Sequence, residues 1–398
     1  MNITIHPSRL QGSINAIPSK SQAHRLLICA ALADRPTMLL MTETNRDIDA
    51  TAACLNALGA DIIRSPEGYH VTPIKTPAGT AVLPCGESGS TLRFLLPLAG
   101  ALGIDATFIL EGRLSKRPLS PLWEEMERMG CTLSRPTDDT IRCHGKLTPG
   151  CYTIDGGVSS QFFTGLLFGL SLLSGTSRIQ VQGTLESKPY VDMTLKAMEI
   201  FGVNTEGMTI HGVQQYRSPG TITVEGDWSN GAFFLGAMAL GSNVSIHGLD
   251  FRSAQGDKAV WDLMPRLKEN ITISAKDIPD LVPILSVVAA ANKGAVFTEI
   301  GRLRMKESDR VATVIAMLKS LGGWAEATDN TLTVYPSSFQ GGIVDAANDH
   351  RIAMSAAIAA TVCTGDVTIL GAQCVSKSYP TFFEDFSRLG GNYGQYIR

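Results

Sequence analysis

Six stretches of the chain are apolar on nearly every side, and each opens on polar residues. The runs are RLLICAALA, TLRFLLPLAGALG, QFFTGLLFGLSLL, NGAFFLGAMALG, LVPILSVVAAA and RIAMSAAIAATV, with entrances near Ser21, Ser90, Ser160, Ser229, Asp280 and His350. Those positions are separated by steps of 69, 70, 69, 51 and 70 residues. A fixed period marks a structural repeat, and a helix without a polar face is a buried helix. Each entrance is therefore predicted to be the N-terminus of a core helix. The first N–H groups and the positive end of the dipole are gathered there, which suits an anion.

A second helix pattern follows each core helix and closes on a leucine- or methionine-rich turn: LNALGADI, MERMGCTL, MEIFGVNT, LMPRLKENITI, MLKSLGGWAE and DFSRLGGNYG. The glycine in most of them fits a helix cap. Short alternating segments such as YHVTP and TLTVYP read as strands. The unit is thus helix, strand, helix, strand, strand, which makes the chain an α/β (α+β repeat) protein. The fifth unit is expected to be short. Between Asn270 and Asp280 there is room for little more than one strand, so a hairpin is missing. Six units divide into two domains of three, and the Pro219–Gly220 stretch is the natural place for a linker.

The 398 residues carry 44% hydrophobic and 18% charged side chains and a net charge of −3. That is the make-up of a globular protein with a large core, and no global field draws it to nucleic acid or an anionic membrane. Anion binding must then come from local clusters. None of the eight cysteines forms a C-x-x-C pair, and they read as small core residues in a reducing compartment. The first residues, MNITIHPSRL, lack the pattern of a signal peptide. No apolar run reaches the roughly 18–20 residues of a membrane span. The expectation is a cytoplasmic protein.

The entrances hold more chemistry than capping needs. In Pro18-Ser19-Lys20-Ser21-Gln22-Ala23-His24-Arg25, either Ser19 or Ser21 can cap the helix, while Arg25 shares a face with Ser21. Gly86-Glu87-Ser88-Gly89-Ser90 is a small-residue loop whose N–H groups can approach an anion. Val158-Ser159-Ser160-Gln161 offers two hydroxyls and an amide. Lys116-Arg117-Pro118 and Ser187-Lys188-Pro189-Tyr190 read as rigid loops with a charge beside proline. The densest cluster is Arg302-Leu303-Arg304-Met305-Lys306-Glu307-Ser308-Asp309-Arg310, in which Lys306 and Arg310 share a face if the segment is helical. Asp280 could be a plain N-cap, and His350 a structural histidine. The fourth entrance, Asp227-Trp228-Ser229-Asn230, reads as structural. A repeat protein with no chemistry would explain the period. It would not explain Lys and Arg recurring at equivalent points.

Taken in order, SKSQAHR, SSQF, SKPYVDMTL, VEGDWSNGAFFL, IPD, KESDR, NDHRIAM and SKSYP make the chain resemble the 5-enolpyruvylshikimate-3-phosphate synthases (3-phosphoshikimate 1-carboxyvinyltransferases) over nearly its full length. The resemblance implies a two-domain inverse αβ barrel, with residues 19–224 as one three-repeat domain and residues 1–18 and 225–398 as the other, and the active site in the cleft between them. It implies enolpyruvyl transfer from phosphoenolpyruvate to the 5-hydroxyl of shikimate 3-phosphate, in a monomer, with no metal and no organic cofactor.

Carried over residue by residue, Lys20, Ser21, Arg25, Ser159, Ser160, Gln161, Ser187, Asp280 and Lys306 would bind shikimate 3-phosphate. Lys20, Gly89, Arg117, Gln161, Arg310, Arg351 and Lys377 would bind phosphoenolpyruvate. Asp280 would be the base, and Glu307, with Lys20, the acid. Gly89 would leave the second pocket open to glyphosate. Two residues depart from the family pattern, Glu87 and Arg302, which stand where Asn is usual.

The same-fold alternative, enolpyruvyl transfer to UDP-N-acetylglucosamine, goes with a reactive cysteine ahead of an Arg-Pro pair. The stretch from Glu111 to Pro118 has none. A weakened homologue that only binds anions is the other alternative. A nucleic-acid surface is disfavoured by 7% aromatic content and the negative charge.

Overall fold

The structure, a computed structural model, describes residues 1–395. The chain divides into two compact units. One is Pro18–Val224; the other joins Met1–Ile17 to the chain from Glu225 onward. Each unit has its own apolar core.

In the Pro18–Val224 unit the core helices are α1 (Lys20–Ala31), α3 (Gly89–Leu102) and α5 (Ser160–Leu170), and the outer helices are α2 (Arg46–Ala57), α4 (Leu122–Arg128) and α6 (Lys188–Ile200). In the other unit the core helices are α7 (Trp228–Ala239), α9 (Val282–Ala290) and α11 (His350–Ala360), and the outer ones are α8 (Val260–Arg266), α10 (Arg310–Ser320) and α12 (Phe382–Arg388). The core helices are buried along nearly their whole length, as their lack of a polar face requires. Glycines let them approach. A Cβ on Gly165 of α5 would lie 2.2 Å from the Arg93 carbonyl oxygen of α3, and one on Gly236 of α7 would lie 2.7 Å from Ile284 of α9.

A complete unit of the repeat has a four-stranded sheet. In the second, Thr80–Gly86 and Asp105–Leu110 pair in parallel around α3, and the hairpin Cys131–Thr137/Thr140–Gly145 adds on antiparallel. Along Asp105–Leu110 the residues Ala106, Phe108 and Leu110 are buried and alternate with more exposed neighbours, the period of a strand with one covered face. The chain ends are shared between sheets. Thr221–Thr223 pairs with Thr37–Leu40, and Ile3–His6 sits between Val367–Leu370 and Asn392–Gln395.

Four sequence expectations need correction. The missing hairpin belongs to the fourth unit, not the fifth. The fourth sheet has only Gln11–Asn15 and Asn243–His247, whereas the fifth has all four strands: Ile271–Ser274, Ala295–Thr298, Thr331–Tyr335 and Trp324–Ala327. The 51-residue step runs from α7 to α9, so the loss falls after α8. The Pro219–Gly220 stretch is a turn into strand Thr221–Thr223, held by Met38 N–H on the Gly220 carbonyl at 2.8 Å, and it lies inside the first unit. Lys188-Pro189-Tyr190 is the first turn of α6 rather than a loop, because proline is tolerated there. Cys151 is exposed, while the other seven cysteines are buried; all eight are free.

Candidate active site

The Pro18–Val224 unit brings together the entrances of α1, α3 and α5. Ser19, not Ser21, caps α1 by accepting from Gln22 N–H. That leaves the Ser21 hydroxyl clear of capping duty. Lys20, at the first position of α1, pairs with Asp47 of α2 at 3.1 Å. Arg25 is buried and works as a brace. It donates to the Ser21 carbonyl (2.6 Å), to Thr194 (2.9 Å) and to the Tyr190 carbonyl (2.7 Å), tying α1 to α6. Burial pulls its guanidinium down to about 10, against the opposing pull of Tyr190 and Cys29.

Arg93 links the remaining members of this set. Its Nη1 donates to Gln161 Oε1 at 2.8 Å and its Nη2 to the Pro118 carbonyl at 3.0 Å, while Gln161 Nε2 donates to Ser90 Oγ at 3.0 Å. One arginine thus fixes Gln161 and the backbone beside Arg117. Gly89 packs directly against both arginines. A Cβ there would stand 2.5 Å from Arg117 Nη1 and 2.9 Å from Arg93 Nη1. Ser159 caps α5 through Gln161 N–H at 3.3 Å, and Ser160 is buried at its first turn. Ser187 is buried, with a left-handed backbone, directly before α6.

The other unit gathers charge. Asp280 is not the N-cap of α9; that position is Leu281 and carries no side-chain cap. Its carboxylate instead receives three cations: Arg310 Nη1 at 2.5 Å, Lys306 Nζ at 3.2 Å and Arg351 Nη2 at 3.4 Å. Arg351 Nη1 also donates to the Asp280 carbonyl at 3.1 Å. Burial would push this carboxyl up, but Arg351, Lys306 and Arg310 outweigh it and hold the group well below the usual carboxylate range.

Lys306 and Arg310 do not share a helix face. Lys306 is extended, after the 3₁₀ turn Gly301–Met305, and α10 starts at Arg310. They converge because both reach Asp280. Burial lowers the Lys306 ammonium to about 8; Asp280 opposes that, and Arg310 and Arg302 add to it.

Arg310 is the centre of the cluster. Its Nη2 holds Glu307 Oε2 at 2.7 Å and its Nε holds Asp349 Oδ2 at 2.9 Å. Asp349 also caps α11 through Arg351 N–H at 3.0 Å. Lys377 donates to the Asn348 carbonyl at 3.0 Å. Asp257, near the entrance of α7, is buried, and burial followed by the charge of Asp280 pushes its carboxyl up to about 6.

Asp47, Arg93, Asp257 and Asp349 were missed from sequence. Arg93 had a readable signal, since it follows Gly89 by four positions on one helix face. Asp257 had none, because nothing in AQGDKA shows that it folds back toward Asp280.

This chemistry, cations around an ionised carboxylate in one unit and a cradle of hydroxyls, amide and cations in the other, suits anionic, hydroxylated substrates. The comparisons agree. The sequence profile of EPSP synthase (3-phosphoshikimate 1-carboxyvinyltransferase) matches residues 5–386. The 3-phosphoshikimate 1-carboxyvinyltransferase of Clostridium beijerinckii is 38% identical over 432 aligned residues, covering 99% of each chain. That of Clostridium perfringens is 39% identical, covering 98% of each. An EPSP synthase structure from Acinetobacter baumannii superposes with a TM-score of 0.80 at 23% identity, over 99% of this chain and all of its own, which speaks for the fold. With a profile match from one end of the repeat to the other and relatives near 40% identity over whole chains, the chain belongs to the EPSP synthase family.

Proposed function

We propose that the chain transfers the enolpyruvyl group of phosphoenolpyruvate to the 5-hydroxyl of shikimate 3-phosphate, giving 5-enolpyruvylshikimate 3-phosphate and phosphate. Family membership supports the reaction. The observation that carries the residue roles is the Asp280 carboxylate held ionised by Lys306, Arg310 and Arg351. A base must be ionised before it can take a proton, and the same cations can neutralise two incoming anions.

In this reading Asp280 takes the 5-hydroxyl proton as that oxygen bonds to C2 of phosphoenolpyruvate. Glu307, assisted by Lys20, delivers a proton to C3. The resulting tetrahedral adduct loses a proton from its new methyl group and expels phosphate. Glu307 is bonded to Arg310 in the free protein, so it gains its proton only when bound substrate charge competes for that arginine. Lys20, Ser21, Arg25, Ser159, Ser160, Gln161, Ser187, Asp280 and Lys306 would serve shikimate 3-phosphate, with Arg25 bracing Ser21 and α6. Lys20, Gly89, Arg117, Gln161, Arg310, Arg351 and Lys377 would serve phosphoenolpyruvate.

UDP-N-acetylglucosamine is not favoured as acceptor, because the loop before Arg117-Pro118 lacks a cysteine. We place the protein in the cytoplasm as a monomer. No helix among the described residues is long and apolar enough to cross a membrane.

The test is phosphate release from phosphoenolpyruvate with each acceptor. Release with shikimate 3-phosphate and not with the UDP-sugar is expected, and Asp280→Asn should cut turnover by roughly 10²–10⁴-fold. No release with shikimate 3-phosphate overturns the reading, and unchanged turnover in Asp280→Asn removes its role as base.

A further inference from the structure

The first turn of α7 reads from sequence as structural, and it holds none of the residues assigned to substrate. It does touch the neighbour of one. Asn230 is almost fully buried, and its side-chain amide meets the fully buried hydroxyl of Ser378 in both directions. Asn230 Nδ2 donates to Ser378 Oγ at 3.1 Å, and Ser378 Oγ reaches Asn230 Oδ1 at 3.4 Å. Ser378 follows Lys377 directly and terminates the 3₁₀ turn Ala372–Lys377.

Asn230 is itself held rigidly. Its N–H donates to Asp227 Oδ1 at 2.8 Å, capping α7. The N–H of Trp228 donates to Gln255 Oε1 at 3.0 Å, and the Trp228 indole donates to the Asp250 carbonyl at 3.0 Å. Asp227 N–H reaches the Ile17 carbonyl at 2.8 Å. This turn is therefore a fixed post, and the side-chain amide of Asn230 is spent on Ser378.

A lysine needs such a post. Its ammonium sits on a four-carbon stem with many rotamers, and it binds an anion well only if the backbone below it is fixed. Lys377 has its far end on the Asn348 carbonyl, beside the cap of α11. The Asn230–Ser378 pair fixes its near end. We propose that Asn230 is a positioning residue, which acts through Ser378 to set Lys377 for the carboxylate or phosphate of phosphoenolpyruvate. The proposal rests on the reading of Lys377 as a ligand of that substrate.

Asn230→Ala and Ser378→Ala remove the same bond from opposite sides, and Ser378→Ala deletes only one oxygen from a packed site. Each should raise KM for phosphoenolpyruvate about tenfold, the weight of one buried hydrogen bond, while KM for shikimate 3-phosphate stays put. The double variant should be no worse than the worse single one, since the two residues act as a unit. Independently of turnover, labelling of the Lys377 amine by acetic anhydride, read by mass spectrometry, should rise in both variants. Unchanged KM values, both KM values rising together, additive effects in the double variant, or unchanged labelling would overturn the proposal. If the unaltered chain shows no turnover, the reaction is wrong, and the labelling arm still decides whether Asn230 positions Lys377.

Discussion

Lys306 and Asp280, 3.2 Å apart, are shifted by different balances of the same forces. Burial disfavours the charged form of both. Asp280 is rescued by three cations, whereas for Lys306 the pull of Asp280 and, more weakly, Glu307 is set against burial and two arginines. With its ammonium lowered to about 8, Lys306 is charged below that pH in the free protein and loses its proton as the pH rises through it. Its grip on a substrate phosphate goes with the proton. We therefore expect kcat/KM for shikimate 3-phosphate, which reports the free enzyme, to fall above about pH 8. In Arg302→Gln the limb should move to higher pH, because one of the opposing cations is gone. A profile that stays flat to pH 9.5, or a limb indifferent to Arg302, would contradict this. The motif was legible at this scale; its geometry was not. KESDR announced a charge cluster, but a helical face was the wrong reason for it, since Lys306 and Arg310 meet through a residue some thirty positions away. Local spacing says nothing about such a meeting.

The core helices place these residues, and their separation depends on small side chains. α3 and α5 carry Gly89 and Gln161 at their entrances, and they approach so closely that a Cβ on Gly165 would lie 2.2 Å from the Arg93 carbonyl. Alanine normally favours a helix over glycine by about 1 kcal/mol. Here overlap with backbone costs about 1–3 kcal/mol, and the backbone cannot swing aside as a side chain could. Gly165→Ala should therefore lower Tm and, by shifting Arg93, weaken phosphoenolpyruvate binding through Gln161. A higher Tm would show that the two helices can part without cost. The six core helices were legible from their apolar runs, and five of the six polar fronts did end up beside assigned residues. The missing hairpin was also legible, but not the sheet that lacks it, because strand Gln11–Asn15 joins the fourth sheet from the far end of the sequence.

At the scale of the molecule, the two units have separate apolar cores with no residue in common. The chain passes between them at Ile17–Pro18 and at Val224–Glu225. Cooperativity comes from shared burial, so two cores give two cooperative blocks. Calorimetry should resolve two transitions, or one broad peak whose van't Hoff enthalpy falls below the calorimetric value. A single transition with the two enthalpies equal would mean that the units unfold as one.

The sequence by itself determined the repeat, the core helices, the absence of a global charge field and the family, because periodicity and ordered motifs are local properties of the chain. It also offered Lys20, Asp280, Lys306, Glu307, Arg310 and Arg351 as candidates, but not Asp47, Arg93, Asp257 or Asp349. Only the tertiary structure decided what each one does there. Asp280 turned out to be a carboxylate among three cations rather than a helix cap, Arg25 a brace between α1 and α6, and Asn230 a support for the residue next to Lys377. Those roles depend on contacts between residues tens to hundreds of positions apart. Such contacts are set by how helices and sheets pack, and no window along the chain contains them.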